Sequence, residues 1–476
     1  MIYDIAVIGG GVVGGLVARE LTKYKLNVVI IEKSDDVAMG ASKANSSIVH
    51  GGYDPIPGTL KAKLNVKGAA MMAELCRDLD VHYVNNGSVV LAFNEEQDAH
   101  VKALYERGIE NGVPQLSVLT GDEVRKLEPH ISPAVTSALL CESSGIVCPY
   151  MLTVASIGNA MDNGAELVTE FCVKSITDNG SEYEISDGSK TIKAKYVVNS
   201  AGLYSDDIAK MLGDDYSIVA KKGQYMLLDR SEGEFCTHTI FQTPSKEGKG
   251  ILITPTVDGN LLLGPTSELC DKEDVSTTLE GLDFTKVTAL KSSGDLNFRK
   301  IITSFVGLRS FCEDTEDFVI EMSKKSPRAL NLVGIDSPGL SSSPAIAEYA
   351  VEVLREAGLE LVSKDDFNKT RVSCRRFESL SAEEKNEIIK NDPAYGHLVC
   401  RCETVTEGEI IQAIRQNPPA RSLDAVKRRT RSGMGRCQGG FCTPFITELL
   451  ARELGVDETE VTKFGGDSKI LVGRTK

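Results

Sequence analysis

The chain is notable first for what it lacks. None of its 476 residues belongs to an uninterrupted apolar run approaching the ~18 that a membrane-crossing helix needs, so no integral membrane segment is expected. Positive charge is in deficit. Lys and Arg number 53 against 68 Asp and Glu, a formal net charge of −15. Such a surface repels nucleic acid and anionic lipid, although it leaves room for a local basic patch. The first eight residues have no basic stretch and run straight into an apolar strand, so a signal peptide is not expected. Twelve cysteines are too scattered over this length for a disulfide scaffold, which points to a reducing, cytoplasmic setting. No solenoid repeat or low-complexity tract appears. What remains is an ordinary globular composition, 41% hydrophobic and 25% charged, long enough for about three domains at ~150 residues each.

The most informative stretch comes at the start. An apolar run from Asp4 to Ile8 leads into Gly9-Gly10-Gly11-Val12-Val13-Gly14, then a helix-like segment, then a second apolar run that ends at Glu32. This is the strand–turn–helix–strand–acid order of a dinucleotide site. Gly9 permits the tight turn, Gly11 lets backbone approach a pyrophosphate, and Gly14 lets helix pack on strand. The helix N-terminus offers free N–H groups to the phosphates. Glu32 is placed to accept hydrogen bonds from a ribose, and its charge argues against a 2′-phosphate.

Two further units repeat the pattern. Tyr196 to Val198 runs into Asn199-Ser200-Ala201-Gly202 and a helix near Ser205, and Leu330 to Val333 runs into a Gly/Pro/Ser turn at 334–343 and another helix. Three such units, widely separated, fit a large nucleotide held from three sides, which points to FAD and not to a diffusing NAD. Between them, residues 216–320 read as strands (QYMLLD, GILITPT, NLLLGPT, DFVIEM) with an Asp258-Gly259 hairpin signal, suggesting a largely antiparallel sheet that covers the ligand. The expected fold class is therefore α/β (α+β overall). A Rossmann-like FAD domain (about 1–80, 140–215 and 325–360) combines with a mostly antiparallel substrate domain (about 81–139 and 216–324). A polar linker at 361–395 precedes a small helical C-terminal domain at 396–476.

In that last domain Cys400-x-Cys402 is followed, after thirty-four intervening residues, by Cys437 and Cys442 within GMGRCQGGFC. Four thiolates suit an iron–sulfur cluster, and the glycines can aim N–H groups at sulfur. The rival is a structural zinc site, although zinc motifs more often space cysteines two to four apart. The basic run Lys427, Arg428, Arg429, Arg431 and Arg436 is either a solvated face or a set of cations that offsets the cluster charge or docks an acidic partner.

These motifs together resemble a known superfamily. GGGVVGG with Glu32, SAGLYSDDIA and GIDSPGLSSSPAIAEYA resemble the D-amino-acid-oxidase flavoproteins. Within it, NSSIVHGGYD, PGTLKAKLN and FVGLRSFCEDTEDFVIE resemble FAD-dependent glycerol-3-phosphate dehydrogenases of the anaerobic A-subunit type, and also L-2-hydroxyglutarate dehydrogenases. The cysteine pattern resembles the [2Fe–2S] domain of bacterioferritin-associated ferredoxin. The resemblance implies FAD contacts at Gly9, Gly11, Gly14, Glu32 and Lys33, at Ser42, Asn45 and Ser46, at Val173, Ala201 and Gly202, and at Gly334, Gly339, Leu340 and Ser341. It implies a [2Fe–2S] cluster on Cys400, Cys402, Cys437 and Cys442. His50 would take a hydroxyl proton, for which an imidazole is suited, or else merely hydrogen-bond flavin or backbone. Arg309 would clamp an anionic substrate, or else pair with Glu313 or Asp314. Tyr225, Lys246 and Lys249 are weaker substrate candidates. The implied activity is oxidation of a small anionic secondary alcohol, foremost sn-glycerol 3-phosphate, with electrons passing from FAD through the cluster to a partner subunit or quinone-linked carrier. The alternatives are a hydroxy-acid dehydrogenase, an amine or amino-acid dehydrogenase, and a non-catalytic electron-transfer subunit.

Overall fold

The computed structural model describes residues 1–243, 250–374 and 376–473. Its first layer is a sheet whose parallel part runs, in spatial order, Glu166–Val168, Val28–Ile31, Ile2–Ile8, Thr191–Asn199 and Ala329–Val333. Val28–Ile31 is buried at every position, as a strand covered on both faces must be. The helices Val12–Leu21, Pro149–Asp162 and Gly339–Glu356 contribute to the core on this sheet. The strand Thr191–Asn199 serves two neighbours on one side. Its first half closes an antiparallel meander with Tyr183–Ser186 and Ser175–Asp178, and its second half pairs in parallel with Ala329–Val333.

The second layer is a nine-stranded sheet with its own core. Its spine is the long antiparallel pair Ile218–Leu228 and Ile301–Cys312, which sets Tyr225 opposite Phe305 and Lys221 opposite Arg309. The Asp258-Gly259 hairpin is present, with Gly259 at φ 79° joining Leu252–Pro255 to Leu261–Gly264. One pairing breaks the antiparallel pattern, since Thr239–Gln242 runs parallel to Ser88–Ala92. DFVIEM, read with this group, lies elsewhere: Val319–Met322 pairs antiparallel with Ala329–Val333 on the first sheet, and Phe318 and Ile320 enter that core. An alternating strand carries the same apolar pattern whichever sheet receives it. A three-stranded patch, Ile48–Val49, Gly145–Val147 and Tyr83–Val84, lies between the layers.

The segment expected as a linker is ordered by its contacts. Arg371 donates its N–H to Asp78, and Ala382–Asn391 forms a helix closed by a Ser381/Glu384 capping box. Beyond it the hairpin Leu398–Cys400/Val405–Thr406 and the helices Glu407–Arg415, Leu423–Thr430 and Thr443–Leu454 bury a third core around Ile410, Val426 and Leu450.

Candidate active site and thiol cluster

The glycine loop is set by sterics. Gly9 has φ 118°, and a Cβ there would lie 2.4 Å from the Ser200 carbonyl oxygen, while one at Gly14 would lie 2.1 Å from that of Gly9. Neither position admits a side chain. Gly11 is less crowded, its Cβ meeting only the Ser42 hydroxyl at 3.2 Å. Glu32 grips the loop directly, accepting from the Gly10 N–H at 2.8 Å and the Ser34 N–H at 2.9 Å. It is thus a support of the turn as well as the expected ribose acceptor, and a carboxylate has lone pairs for both. The Ser42 hydroxyl accepts from the Val12 N–H at 2.9 Å.

Whether an anionic nucleotide fits can be judged from the helix starts. The helices beginning at Val12, Ser205 and Gly339 have no side-chain cap at their N-termini. Those beginning at Pro149, Leu423 and Thr443 also lack one, whereas those beginning at Leu60, Glu95, Gly121, Leu279, Ala382 and Glu407 have one. The three nucleotide turns are thus free of a side-chain cap from the residue before the helix, which suits phosphates and a flavin, while the Val12 N–H is taken by Ser42. Gly202, at φ 57°, and Gly334, at φ 67°, give those turns their left-handed step. Lys33 places its amine 3.4 Å from the centre of the Tyr204 ring, and burial lowers its pKa. Val173 packs in the same cluster as Ala201. Beside Lys33 and Ser34 is an open groove of about 660 Å³, whose far wall is Phe464–Ser468 from the end of the chain.

The loop 41–50 joins this turn region to the covering sheet. Asn45 shapes it, donating to the Ala41 carbonyl and accepting from the Ser47 N–H. The Ser46 and Tyr225 hydroxyls are 3.3 Å apart, and Tyr225 stacks on Phe305. A Cβ at Gly307 would lie 1.9 Å from the Ala44 carbonyl oxygen, so the loop passes hard against the strand that carries Arg309. His50 is fixed by its backbone. Its N–H donates to the Ser341 hydroxyl at 2.7 Å and its carbonyl accepts from the Asn65 amide at 2.6 Å, while its ring lies 5.6 Å from that of Phe241. Asn65, fully buried, is a positioning residue that sequence reasoning missed, since a lone Asn on an amphipathic helix carries no visible signal. Arg309 reaches the Thr266 carbonyl with both terminal nitrogens at 3.4 Å and has no carboxylate partner among the described residues. The Glu313 and Asp314 carboxylates turn instead to Ser217. Lys246 and Lys249 lie outside the described residues.

The four C-terminal thiols come together. Cys402 Sγ is 3.9 Å from Cys400 Sγ and 3.5 Å from Cys437 Sγ, and Cys442 bonds to Cys400. The Cys442 thiol, aided by the Gly433 and Glu403 N–H groups, draws Cys400 down to about 5. Burial opposes ionisation of Cys437, but the Cys402 thiol and the N–H groups of Gly439, Phe441 and Gly440 outweigh it. The donors favour thiolate at Cys400 and Cys437, while burial together with the Cys437 thiol raises Cys402, and the Cys400 thiol together with burial raises Cys442. Close approach requires glycine at 435, where a Cβ would lie 2.6 Å from Cys402 Sγ.

Three members of the basic run, Arg428, Arg429 and Arg431, behave differently from either expectation, whereas Arg436 stays exposed. Arg428 and Arg429 reach across to Asp36 at 2.6 and 2.7 Å, and all three side chains are buried. Burial opposes the Asp36 charge, yet the two guanidinium groups hold its carboxyl far below the usual range. Arg431 bonds Asp258 at 2.6 Å and Glu403 at 2.8 Å, and Arg376 also binds Asp258. These cations are neither a solvated face nor a counter-charge to sulfur. They fasten the C-terminal unit to the other two layers.

Residues 4–353 match the FAD dependent oxidoreductase family, and residues 398–452 match the BFD-like [2Fe–2S] binding domain, which decides against structural zinc. The chain is 47% identical over 476 residues to the glycerol 3-phosphate dehydrogenase of Caloramator mitchellensis, covering 100% of this chain and 99% of that one. It is 33% identical over 375 residues to the glycerol 3-phosphate oxidase of Mycoplasma genitalium, covering 77% of this chain and 97% of that one. A solved structure, the dithionite-reduced L-alpha-glycerophosphate oxidase of Mycoplasma pneumoniae with FAD bound, superposes with a TM-score of 0.74 at 30% identity, covering 78% of this chain and 98% of that one.

Proposed function

Because the chain belongs to the FAD-dependent oxidoreductase family and has a [2Fe–2S]-binding domain fastened to it, we propose that it is a glycerol-3-phosphate dehydrogenase, oxidising sn-glycerol 3-phosphate to dihydroxyacetone phosphate. The observation that carries this reading is Arg309, a cation left without a carboxylate at the seam between the nucleotide loop and the covering sheet. The full-length relative supports the choice of phosphate over carboxylate.

FAD, when bound, supplies the acceptor for the two electrons lost by the alcohol, and a [2Fe–2S] cluster supplies a one-electron way out. Gly9, Gly11, Gly14 and Glu32 hold the nucleotide, with Lys33, Val173, Ala201 and Gly202 around its adenosine end. Ser42, Asn45, Ser46, Gly334, Gly339, Leu340 and Ser341 line the flavin side, and Cys400, Cys402, Cys437 and Cys442 ligate the cluster. Arg309 forms two parallel bonds to the substrate phosphate, with the Thr266 carbonyl keeping the guanidinium in place. Tyr225, anchored through Ser46 and Phe305, borders the same space. His50 takes the hydroxyl proton as the carbon is oxidised, its backbone held by Ser341 and Asn65 and its ring 5.6 Å from that of Phe241. Electrons leave to a partner protein or quinone-linked carrier. Among the described residues no helix is long and apolar enough to cross a membrane.

The test is anaerobic titration of the purified holoprotein. Glycerol 3-phosphate bleaches the flavin absorbance. Bleaching by 2-hydroxyglutarate or an amino acid instead would overturn the substrate assignment, and reduction by no substrate would favour an electron-transfer subunit.

A further inference from the structure

We propose that the mouth of the cysteine cluster is a docking surface for an electron-accepting protein whose redox centre lies behind an acidic rim. This rests on the [2Fe–2S] and dehydrogenase reading above and adds to it where electrons leave and what kind of partner takes them. The four sulfurs are not equally covered: Cys400 and Cys442 are buried, whereas Cys402 and Cys437 reach partly to the surface. A cluster held here is shielded on one side and accessible on the other.

Two exposed aromatic rings flank the ligand Cys442 in the chain, the second edge-on to His397. Phe441, next to the ligand Cys442, is 79% exposed, and Phe445, one turn into the following helix, is 49% exposed. The Phe441 N–H is committed inward to the Cys437 sulfur, which leaves its ring outside. A large ring held in water adds nothing to the fold, and exposed aromatics at a site rim are the usual anchors of protein contacts.

The rim is cationic. From Arg431 to Thr447 the chain has no Asp or Glu, in a protein whose net charge is −15. Arg401, between two of the ligands, is exposed and has no ion pair among the described residues. Arg436, adjacent to Cys437, is 74% exposed and touches Asp229 only at 3.4 Å. Their neighbours Arg428, Arg429 and Arg431 all turn inward to carboxylates. The two arginines beside the accessible sulfurs thus face out, and an acidic partner is attracted to this one place and repelled elsewhere. A second copy of the chain would bring like charge to like. An anionic bilayer would meet a small cationic patch on a strongly acidic body. A [2Fe–2S] cluster held by Cys400, Cys402, Cys437 and Cys442 would supply one electron to the partner's centre per encounter, so two encounters would balance the two electrons of each substrate oxidation.

The test uses holoenzyme reduced with dithionite, excess reductant removed, so that it does not depend on the substrate assignment. The probes are acidic cytochrome b5, basic cytochrome c and a small dye. For the native protein, the rate with cytochrome b5 falls as salt rises and the rate with cytochrome c does not. Joint R401E and R436E substitution lowers the cytochrome b5 rate by roughly tenfold or more at low salt, flattens its salt dependence and leaves dye reduction unchanged. Phe441→Ser lowers the cytochrome b5 rate at every salt concentration. A cytochrome b5 rate indifferent to salt overturns the proposal without any variant. So do equal losses with both cytochromes, or sedimentation of the native protein with phosphatidylserine vesicles that the arginine substitutions abolish.

Discussion

Arg309 stays available because its neighbours are occupied. Glu313 and Asp314, the carboxylates nearest in sequence, are both bonded to Ser217, and the guanidinium rests on a carbonyl that cannot neutralise it. Replacing Arg309 with Ala removes two charge-assisted bonds, about 3 kcal/mol, and should raise KM for glycerol 3-phosphate roughly a hundredfold while flavin content is retained. Steady-state dye reduction with a parallel flavin assay measures both. His50→Gln should do the reverse, lowering kcat by ~10²-fold or more with little change in KM, as expected for a lost general base. At this scale the sequence was most legible where sterics act locally. The spacing of Gly9, Gly14 and Glu32 is forced by the turn itself. It was least legible where a residue is held by one far along the chain. Nothing around His50 points to Ser341 or Asn65, and nothing in the arginine run points to Asp36.

Elements were readable as elements more than as neighbours. The helix Leu60–Asp78 follows from its pattern, but its start does not. Besides the Thr59 cap, the Leu60 and Lys61 N–H groups donate to the Asp317 carboxylate at 2.7 and 2.8 Å. Asp317 immediately precedes the hairpin Val319–Met322/Ala329–Val333, so this bond pins that hairpin to the helix adjoining the flavin side. Asp317→Ala leaves donors unpaired at the positive end of the helix and should cost about 1–2 kcal/mol. A denaturant titration measures the loss, and amide exchange should quicken at Leu60 and Lys61 first. The same helix meets Gly339–Glu356 closely enough that a Cβ at Gly68 would lie 2.3 Å from the Ser341 carbonyl oxygen. Such approaches set where His50 and the flavin turn sit, and periodicity does not report them.

For the whole molecule, the question is how firmly the cluster unit is held against the flavin unit. The buried Asp36–Arg428–Arg429 group and the Asp258–Arg376–Arg431 group both span the join. Removing one member of a buried ionic group leaves uncompensated charge and costs about 3–5 kcal/mol. Asp36→Asn should therefore loosen the cluster unit, open residues 361–395 to limited proteolysis and slow electron transfer from flavin to cluster in stopped-flow absorbance. The join should also be acid-sensitive. Asp36 and Asp258 both have carboxyl pKa values held below the ordinary 3.8, so their contribution is complete above that value and is lost as pH falls beneath it. Proteolytic accessibility of the join, followed as the pH is lowered from about 5 to about 2, checks the sign.

The clasp also sets an order of assembly. Asp36 lies just after the second nucleotide strand and is synthesised early, whereas Arg428 and Arg429 come 392 and 393 positions later. Asp35 repeats the arrangement, accepting from the Ser422 hydroxyl, and the closing stretch Phe464–Ser468 walls the groove beside Lys33. Until those last residues leave the ribosome, Asp36 faces water and the groove stands open. A chain cut short before residue 428 would lack both the clasp and that wall of the groove.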